Sequence, residues 1–459
     1  MSFSTTHVVP ASRNDVWTWH TRPGSIVRLT PPFFPMTPTH ETPDLAAGST
    51  VFSLPAGLRW EARHDLSGYV KGYRFTDVCV TSPVKALANW RHVHEFSDHI
   101  DGTAITDTVY TRAPKSMLTP SFAYRQQQLI HDIAAGQRFA EIQRRSLGTT
   151  VPLTVAMTGS RGLIGKALRA QLTSLGHTVI PLVRSRASEG ERLWDPSNPS
   201  SSLLEGVDAL VHLAGEPIAG RFTDSHKKAI RDSRVDPSQR LAALIAKSPT
   251  CHTLVQASAV GFYGAQREEE ILGEDASAGS GFLADVVKDW ELASSSVAEA
   301  GKRAVYLRTG ATLSGRGGIL PVLKTLFSVG LGGSFEGGAP WFSWISIDDL
   351  CDLYVRALVD PSMSGPINAV APNPIRNQDF AKALGTQLKR PSKFPIPSIG
   401  PKLILGTQGA EEVAFANQRV SPSALLKLGH TFRYLHIDAC LAHELGGEHL
   451  ADAPNAGAK

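Results

Sequence analysis

The stretch Leu153-Thr-Val-Ala-Met-Thr-Gly159-Ser-Arg-Gly162-Leu-Ile-Gly165 decides the fold. Its apolar run, Leu153–Met157, reads as a buried strand that ends in three glycines spaced three apart. Leu163, Ile164, Ala167, Leu168, Leu172 and Leu175 then recur at helical spacing up to a capping Gly176. Gly159 permits a tight turn, Gly162 lets the backbone approach a pyrophosphate, and Gly165 lets helix and sheet pack closely. The N–H groups that open such a helix receive the anion. Gly159, Ser160, Arg161, Gly162, Leu163, Ile164 and Gly165 are therefore candidate dinucleotide-binding residues. The next strand ends in Val183-Arg184-Ser185-Arg186. An NAD site places a carboxylate there for the ribose 2′-OH, whereas Arg184 and Arg186, with Arg161, suit a 2′-phosphate, so NADP is the expected cofactor.

Working outward, short apolar runs at Thr178–Val183, Ala209–Leu213, Thr253–Ala257 and Ala304–Leu307 alternate with helical stretches, the pattern of a parallel α/β sheet. A chain of 459 residues exceeds what one core usually supports, so two or three domains are expected. Residues 1–142 form the first. Asn14–His20 reads as a short helix, Leu29–Pro38 as a proline-rich loop, and Leu58–His64, Val70–Val80, Ala88–Phe96 and Thr103–Thr111 as strands. Asp101-Gly102 is a hairpin turn, and Phe122–Arg138 a closing helix. A linker over 140–152 leads into a dinucleotide-binding domain, 152–375, followed by a small C-terminal domain, 376–447, on the substrate side, and a flexible tail, 448–459. The fold class is α/β, a Rossmann-type parallel sheet with a small C-terminal domain, preceded by an α+β domain.

Composition narrows the function. Hydrophobic residues at 42% and charged residues at 19% exclude a largely disordered chain. The formal charge is only +4 and no Lys/Arg block stands out, so nucleic acid is not an expected partner. No apolar run is long enough to span a bilayer, and Met1–Asn14 lacks a signal-peptide pattern. Cys79, Cys251, Cys351 and Cys440 are scattered without ligand-like spacing. A cytoplasmic protein that acts on a small-molecule substrate is expected. His92 and His94 alternate with Trp90 and Phe96 on one strand face, but no third ligand is identifiable, so no metal site is expected.

These motifs resemble the extended short-chain dehydrogenase/reductase superfamily, and within it the sugar-nucleotide epimerase-like, or SulA-like, branch. The resemblance spans roughly residues 153–445. It is carried by Leu213-Ala-Gly-Glu-Pro-Ile218, Lys227-Lys-Ala-Ile-Arg231-Asp-Ser233-Arg234-Val235, Trp341-Phe-Ser-Trp344-Ile-Ser-Ile-Asp348-Asp349, and the segment around Gly406 to Gly429. It implies that Leu213, Ala214 and Gly215 lie beside the cofactor, that Ser258 orients a carbonyl or hydroxyl substrate, and that Arg308-Thr309-Gly310 shapes the cleft. The first domain, through Val16-Trp17-Thr18-Trp19-His20 and Leu29-Thr-Pro-Pro32, resembles the START-like helix-grip superfamily, which implies a hydrophobic ligand or partner.

The superfamily's Tyr-x-x-x-Lys pair is missing: no tyrosine lies between Tyr263 and Tyr306. The corresponding segment reads Gly281-Phe-Leu-Ala-Asp-Val-Val-Lys288-Asp-Trp290-Glu291. Three replacements stay open. Tyr263 can act as the acid or pack in the cleft wall, Lys288 can face the cofactor or solvent, and Asp285 can serve as a base. Ser258, Tyr263 and Lys288 are the candidate catalytic residues. The basic group Lys227, Lys228, Arg231 and Arg234 reads as ion pairing or as phosphate contacts. Trp341 and Trp344 are placed beside a glycine-rich loop, Gly330–Gly338, to shape the cleft, and Asp348 and Asp349 are placed as helix caps. An NADP-dependent oxidoreductase or epimerase is the leading expectation, and a non-catalytic NADP-binding sensor or scaffold is the alternative.

Overall fold

In the computed structural model, which describes residues 2–42, 44–392 and 394–451, the glycine-flanked strand β1 (Thr154–Thr158) is followed by six more: β2 (Thr178–Val183), β3 (Arg192–Leu193), β4 (Ala209–His212), β5 (Thr253–Ala259), β6 (Arg303–Thr309) and β7 (Gly365–Ala369). They form one sheet in the order β3-β2-β1-β4-β5-β6-β7. Every pairing is parallel. This is the Rossmann-type order, in which the chain reverses direction across the sheet between β1 and β4. Near-continuous apolar strands are what such a sheet needs, because helices cover both faces. Val155, Ala156, Met157, Leu210, Val211, Leu254 and Val255 are buried. Ala156, Leu210 and Leu254 share a core with Leu241, Ala242 and Ile245 of the helix Val235–Lys247.

The chain divides into two compact units, Ile142–Leu168 with His177–Leu441, and Met1–Glu141 with Arg169–Gly176 and Ala442–Lys459. Residues 376–441 thus belong to the α/β unit. The strand Asn417–Val420 pairs with Gln266–Leu272, matching Leu272 to Val420, and this ladder ties the segment in. Of the tail expected over 448–459, residues 452–459 lie outside the described residues.

In the other unit seven antiparallel strands run in the order Ser2–Val9, Gly102–Tyr110, Arg91–His99, Arg74–Cys79, Arg59–His64, Ser49–Ser53, Thr37–His40. Val9, Val16, Trp17, Trp19, Phe75, Phe96 and Ile105 form a core with Leu129 and Ile133 of a long helix. That helix runs from Lys115 to Leu147, further than expected at both ends. No glycine or proline interrupts residues 137–147, and Gly148 ends the helix at φ +75°, its N–H returning to the Arg144 carbonyl. The linker therefore begins at Gly148. The proline-rich stretch read as loop ends in strand Thr37–His40, where Pro38 is tolerated because the strand is at the sheet edge. The hairpin closes between His99 and Gly102, so Ile100 and Asp101 form its tip and the positive φ falls on Gly102 alone.

One buried ion pair fastens this unit. Arg28, in the short helix Ser25–Leu29, donates from Nε and Nη2 to the two carboxylate oxygens of Asp132 at 2.9 and 2.7 Å. Gln128 donates to the same carboxylate at 2.9 Å. Arg28→Ala leaves a buried carboxylate without its fork, and urea unfolding is expected to show a loss of about 3–5 kcal/mol. A loss below about 1 kcal/mol contradicts this role.

Candidate functional site

The glycine turn sits at the C-terminal end of β1, where its backbone meets that of β4. Gly159 has φ +67°, and a Cβ there would lie 2.8 Å from the Leu213 carbonyl carbon and 2.9 Å from the Ala214 nitrogen. A Cβ on Gly165 would come within 2.2 Å of the Gly159 oxygen, so the helix Leu163–Ser174 lies directly on the turn. Gly162 differs: among the described residues the one atom a Cβ there would meet within 4 Å is the Gly159 oxygen, at 3.3 Å. Two glycines are thus required by the chain's own packing, while the third keeps clear a space that its own fold does not fill. The residues fit a pyrophosphate at that place, against the first N–H groups of the helix.

Below the turn, the Thr158 hydroxyl accepts from the N–H groups of Leu213 and Ala214 at 3.1 and 3.2 Å and lies 2.7 Å from His212 Nδ1. Burial, with Arg234 nearby, pushes His212 down to about 4. The ring is neutral, and Thr158 donates its proton to Nδ1. This pair holds the Leu213-Ala-Gly215 segment and was not visible as a motif.

Arg184 and Arg186 are exposed just after β2, Arg186 at φ +36°. Arg161 instead pairs with Glu191 at 3.0 Å. Arg231 pairs with Asp289 at 2.6 Å, Lys227 with Asp224 at 3.3 Å, and Lys228 with Asp232. Arg234 behaves differently. It is buried, stacks 5.2 Å from Trp290, donates to the Ile230 carbonyl, and would be met at 3.1 Å by a Cβ on Gly215. Burial pushes its guanidinium down to about 10.

At the C-terminal ends of the next three strands, register aligns a polar row: Ser258 of β5 lies opposite Arg308 of β6, which lies opposite Asn368 of β7. The helix Phe282–Leu292 adds Glu291. Arg308 grips Glu291 with two hydrogen bonds of 2.9 and 2.8 Å, and Ser258 donates to Glu291 Oε1 at 2.6 Å. Arg308 also lies 3.5 Å over the Phe262 ring and donates to the Tyr263 hydroxyl at 3.1 Å.

Several expectations are corrected here. Tyr263 is fully buried, and its hydroxyl lies 2.7 Å from Asn368 Oδ1 and 3.0 Å from the Gly273 carbonyl. These bonds, with one from Arg308, hold the phenol inside the core as a strut, and burial raises its pKa. Lys288 is drawn to Asp285 at 2.6 Å on the exposed side of its helix, so the two neutralise each other. Trp344 is buried with its N–H on the Asn373 carbonyl, and the Trp341 ring is met by the guanidiniums of Arg376 and Arg419 at 3.9 and 4.5 Å from its centroid. The helix Ile347–Val359 is capped by Ser346, whose hydroxyl accepts from the Asp349 N–H at 2.9 Å. Asp349 accepts instead from the N–H groups of Arg433 and Tyr434, and burial pushes its carboxyl up to about 7. Glu291 was quoted in the segment that lacks the Tyr/Lys pair, but only tertiary contact gives it a role.

Fold and turn together define a Rossmann-type protein with a nucleotide-binding crevice. Residues 155–369 match the NAD dependent epimerase/dehydratase family, and residues 396–444 match a domain of unknown function, DUF1731. Epimerase family protein MT2273 of Mycobacterium tuberculosis is 39% identical over 293 residues, which are 63% of this chain and 96% of that protein. The chain belongs to the epimerase family. It is also similar to a solved structure described as the nucleoside-diphosphate sugar epimerase from Corynebacterium glutamicum, at 56% identity and a TM-score of 0.88, over 98% of this chain and 91% of that one. The human epimerase family protein SDR39U1, solved with NADPH, is 30% identical with a TM-score of 0.58, over 64% of this chain and 99% of that one.

The glycines separate in their effects. Gly165→Ala is expected to cost about 1–3 kcal/mol through overpacking. Gly162→Ala is expected to stay within about 0.5 kcal/mol. Denaturant midpoints of the two variants read the difference.

Proposed function

We propose that this chain binds NADP(H) at the Gly159–Gly165 turn and acts on a small carbonyl or hydroxyl compound, with a nucleotide-linked sugar as the substrate class. The observation that carries the reading is the open space over Gly162 beside a helix start, in a turn whose other two glycines are filled by the protein itself. The bound nicotinamide ring supplies hydride acceptance and donation. Gly159, Ser160, Gly162, Leu163, Ile164 and Gly165 hold the pyrophosphate, Leu213, Ala214 and Gly215 flank the cofactor, and Arg184 and Arg186 receive the 2′-phosphate. Arg161 is held by Glu191 and plays a lesser part. The solved human relative carries NADPH, and the Corynebacterium relative is described as a nucleoside-diphosphate sugar epimerase, which supports both cofactor and substrate class.

Ser258 takes the substrate oxygen. Glu291 accepts the Ser258 hydroxyl hydrogen bond, and the Arg308 fork holds that carboxylate in place. The serine oxygen is thereby oriented as an acceptor for a substrate hydroxyl. A sensor reading stays in view for a specific reason: the Tyr-x-x-x-Lys pair is absent and the Ser258 proton is already committed. The other unit, a seven-stranded antiparallel sheet with a 33-residue helix, supports a helix-grip, START-like domain that holds a hydrophobic ligand. The four thiols, all free and buried, fit a reducing cytoplasmic setting. Among the described residues no helix is long and apolar enough to cross a membrane.

Calorimetric titration tests the cofactor. NADPH is expected to bind more tightly than NADH, and Arg184→Ala with Arg186→Ala to weaken NADPH by about tenfold, about 1.4 kcal/mol, while leaving NADH unchanged. Equal affinities for the two cofactors overturn the preference. Gly162→Val is expected to abolish NADPH binding while the protein stays folded. With a nucleotide-sugar and carbonyl panel, turnover that vanishes in Ser258→Ala at unchanged NADPH affinity supports the enzyme. Tight NADPH binding without turnover across the panel favours the sensor.

A further inference from the structure

One face of the antiparallel sheet carries a cluster of ionisable groups that the dinucleotide site does not use. Register assembles it: Asp77 lies directly opposite His92, and His94 directly opposite Asp107. His92, His94 and Asp107 are at most 5% exposed, while the Asp77 side chain keeps 15% of its surface open to solvent. Each imidazole stands between the two carboxylates: His92 reaches only Asp107 at hydrogen-bond distance, whereas His94 reaches Asp107 through Nδ1 and Asp77 through Nε2. His92 Nε2 and His94 Nδ1 lie 2.8 and 2.9 Å from Asp107 Oδ1, which is hydrogen-bond distance. The opposite nitrogens, His92 Nδ1 and His94 Nε2, face Asp77 Oδ2 at 3.6 and 3.3 Å.

In the tautomers that place both ring N–H groups on Asp107, His92 Nδ1, His94 Nε2 and Asp77 Oδ2 keep lone pairs, and a ligand atom from each of the three residues lies within 4.8 Å of the others. The 3.6 and 3.3 Å separations of the two nitrogens from Asp77 Oδ2 are close to the spacing of about 3.3–3.4 Å between ligand atoms on a tetrahedral ion with bonds of about 2.0–2.1 Å. The surroundings hold this arrangement. Trp90 Nε1 donates to Asp77 Oδ1 at 3.1 Å and leaves Oδ2 to the cluster. Phe75 stacks on His94 at 4.0 Å, and Phe122 meets His92 edge-on at 5.2 Å. His7, on the neighbouring strand, is buried with neither ring nitrogen hydrogen-bonded among the described residues, so the same face offers another polar group.

We propose that Asp77, His92 and His94 bind a divalent first-row transition metal ion, zinc or ferrous iron by ligand chemistry, with Asp107 as the positioning residue behind both rings. Two imidazoles and one carboxylate suit these ions rather than calcium or magnesium, which take oxygen ligands. A carboxylate on the far nitrogen of each ligating histidine is the usual outer support of such a site. Three protein ligands leave a coordination position for water or a bound molecule. No third ligand beside His92 and His94 is identifiable in the sequence; sheet register places Asp77 opposite His92.

The test uses the full chain, stripped with chelator and titrated with Co²⁺ and Zn²⁺. One Co²⁺ per chain, with the visible absorption of a low-coordinate ion and displacement by one Zn²⁺, is the expected result. His92→Gln and His94→Gln are expected to abolish it. Asp107→Asn is expected to weaken Zn²⁺ by about 10–100-fold and to shift the cobalt spectrum. Zinc-edge anomalous diffraction from wild-type crystals places the ion without any variant, should the histidine variants fail to fold. No stoichiometric uptake at micromolar Zn²⁺, uptake unchanged in folded histidine variants, or an anomalous peak elsewhere overturns the proposal.

Discussion

The constraint on which the α/β unit's glycine turn depends is the meeting of two backbones at the end of β1. Gly159 passes the Leu213–Ala214 peptide at a distance that no side chain permits, and Gly165 sits on the Gly159 carbonyl with even less room. The hydroxyl of Thr158 closes the same junction by taking both N–H groups of Leu213 and Ala214. Because β1 and β4 are locked there, the helix start is aimed at one spot, and that spot lies where strand order reverses. Gly162 is the least crowded of the three, with the Gly159 oxygen at 3.3 Å as its one near atom among the described residues.

The second half of the site is electrostatic. Replacing a tyrosine–lysine pair removes both the acid and the cation that tunes it, and no single residue of this chain takes over both jobs. A row of side chains set by register, Ser258, Arg308 and Asn368, is joined instead to Glu291 and Tyr263. Arg308 is the hub, since its guanidinium serves the carboxylate, the phenol and the Phe262 face together. A buried fork of this kind is strong only while every partner is present. The same guanidinium that orders Ser258 through Glu291 also holds the Tyr263 hydroxyl in the core.

In the antiparallel unit the period-two rule does comparable work. Asp77, His92, His94 and Asp107 come from three strands, yet each faces the same side because their pairings are in register. A one-residue slip of any of these strands would turn its members to the opposite face. Aromatic rings enclose the cluster on the same side, so its polar contacts operate away from bulk water and carry correspondingly greater weight.

The α/β architecture, the position of the glycine turn and the absence of the Tyr-x-x-x-Lys pair were all legible in the residues, because each depends on local pattern: an apolar run, a fixed glycine spacing, a motif within one helix. For Lys227, Lys228 and Arg231 the residues left ion pairing and phosphate contact both open; Lys227 and Lys228 pair within one helical turn, and Arg231 pairs with Asp289. Only tertiary structure decided the rest. Whether Tyr263 faced a cleft or the core, and which carboxylate Ser258 and Arg308 would share, depend on residues tens of positions apart. The strands at Ser2–Val9, Thr37–His40 and Ser49–Ser53 lack a decisive apolar alternation and exist because neighbours pair with them. A sequence records which chemistries are available and their local period; the partner of a buried polar group is settled by strand register and helix packing, which sum interactions across the whole chain.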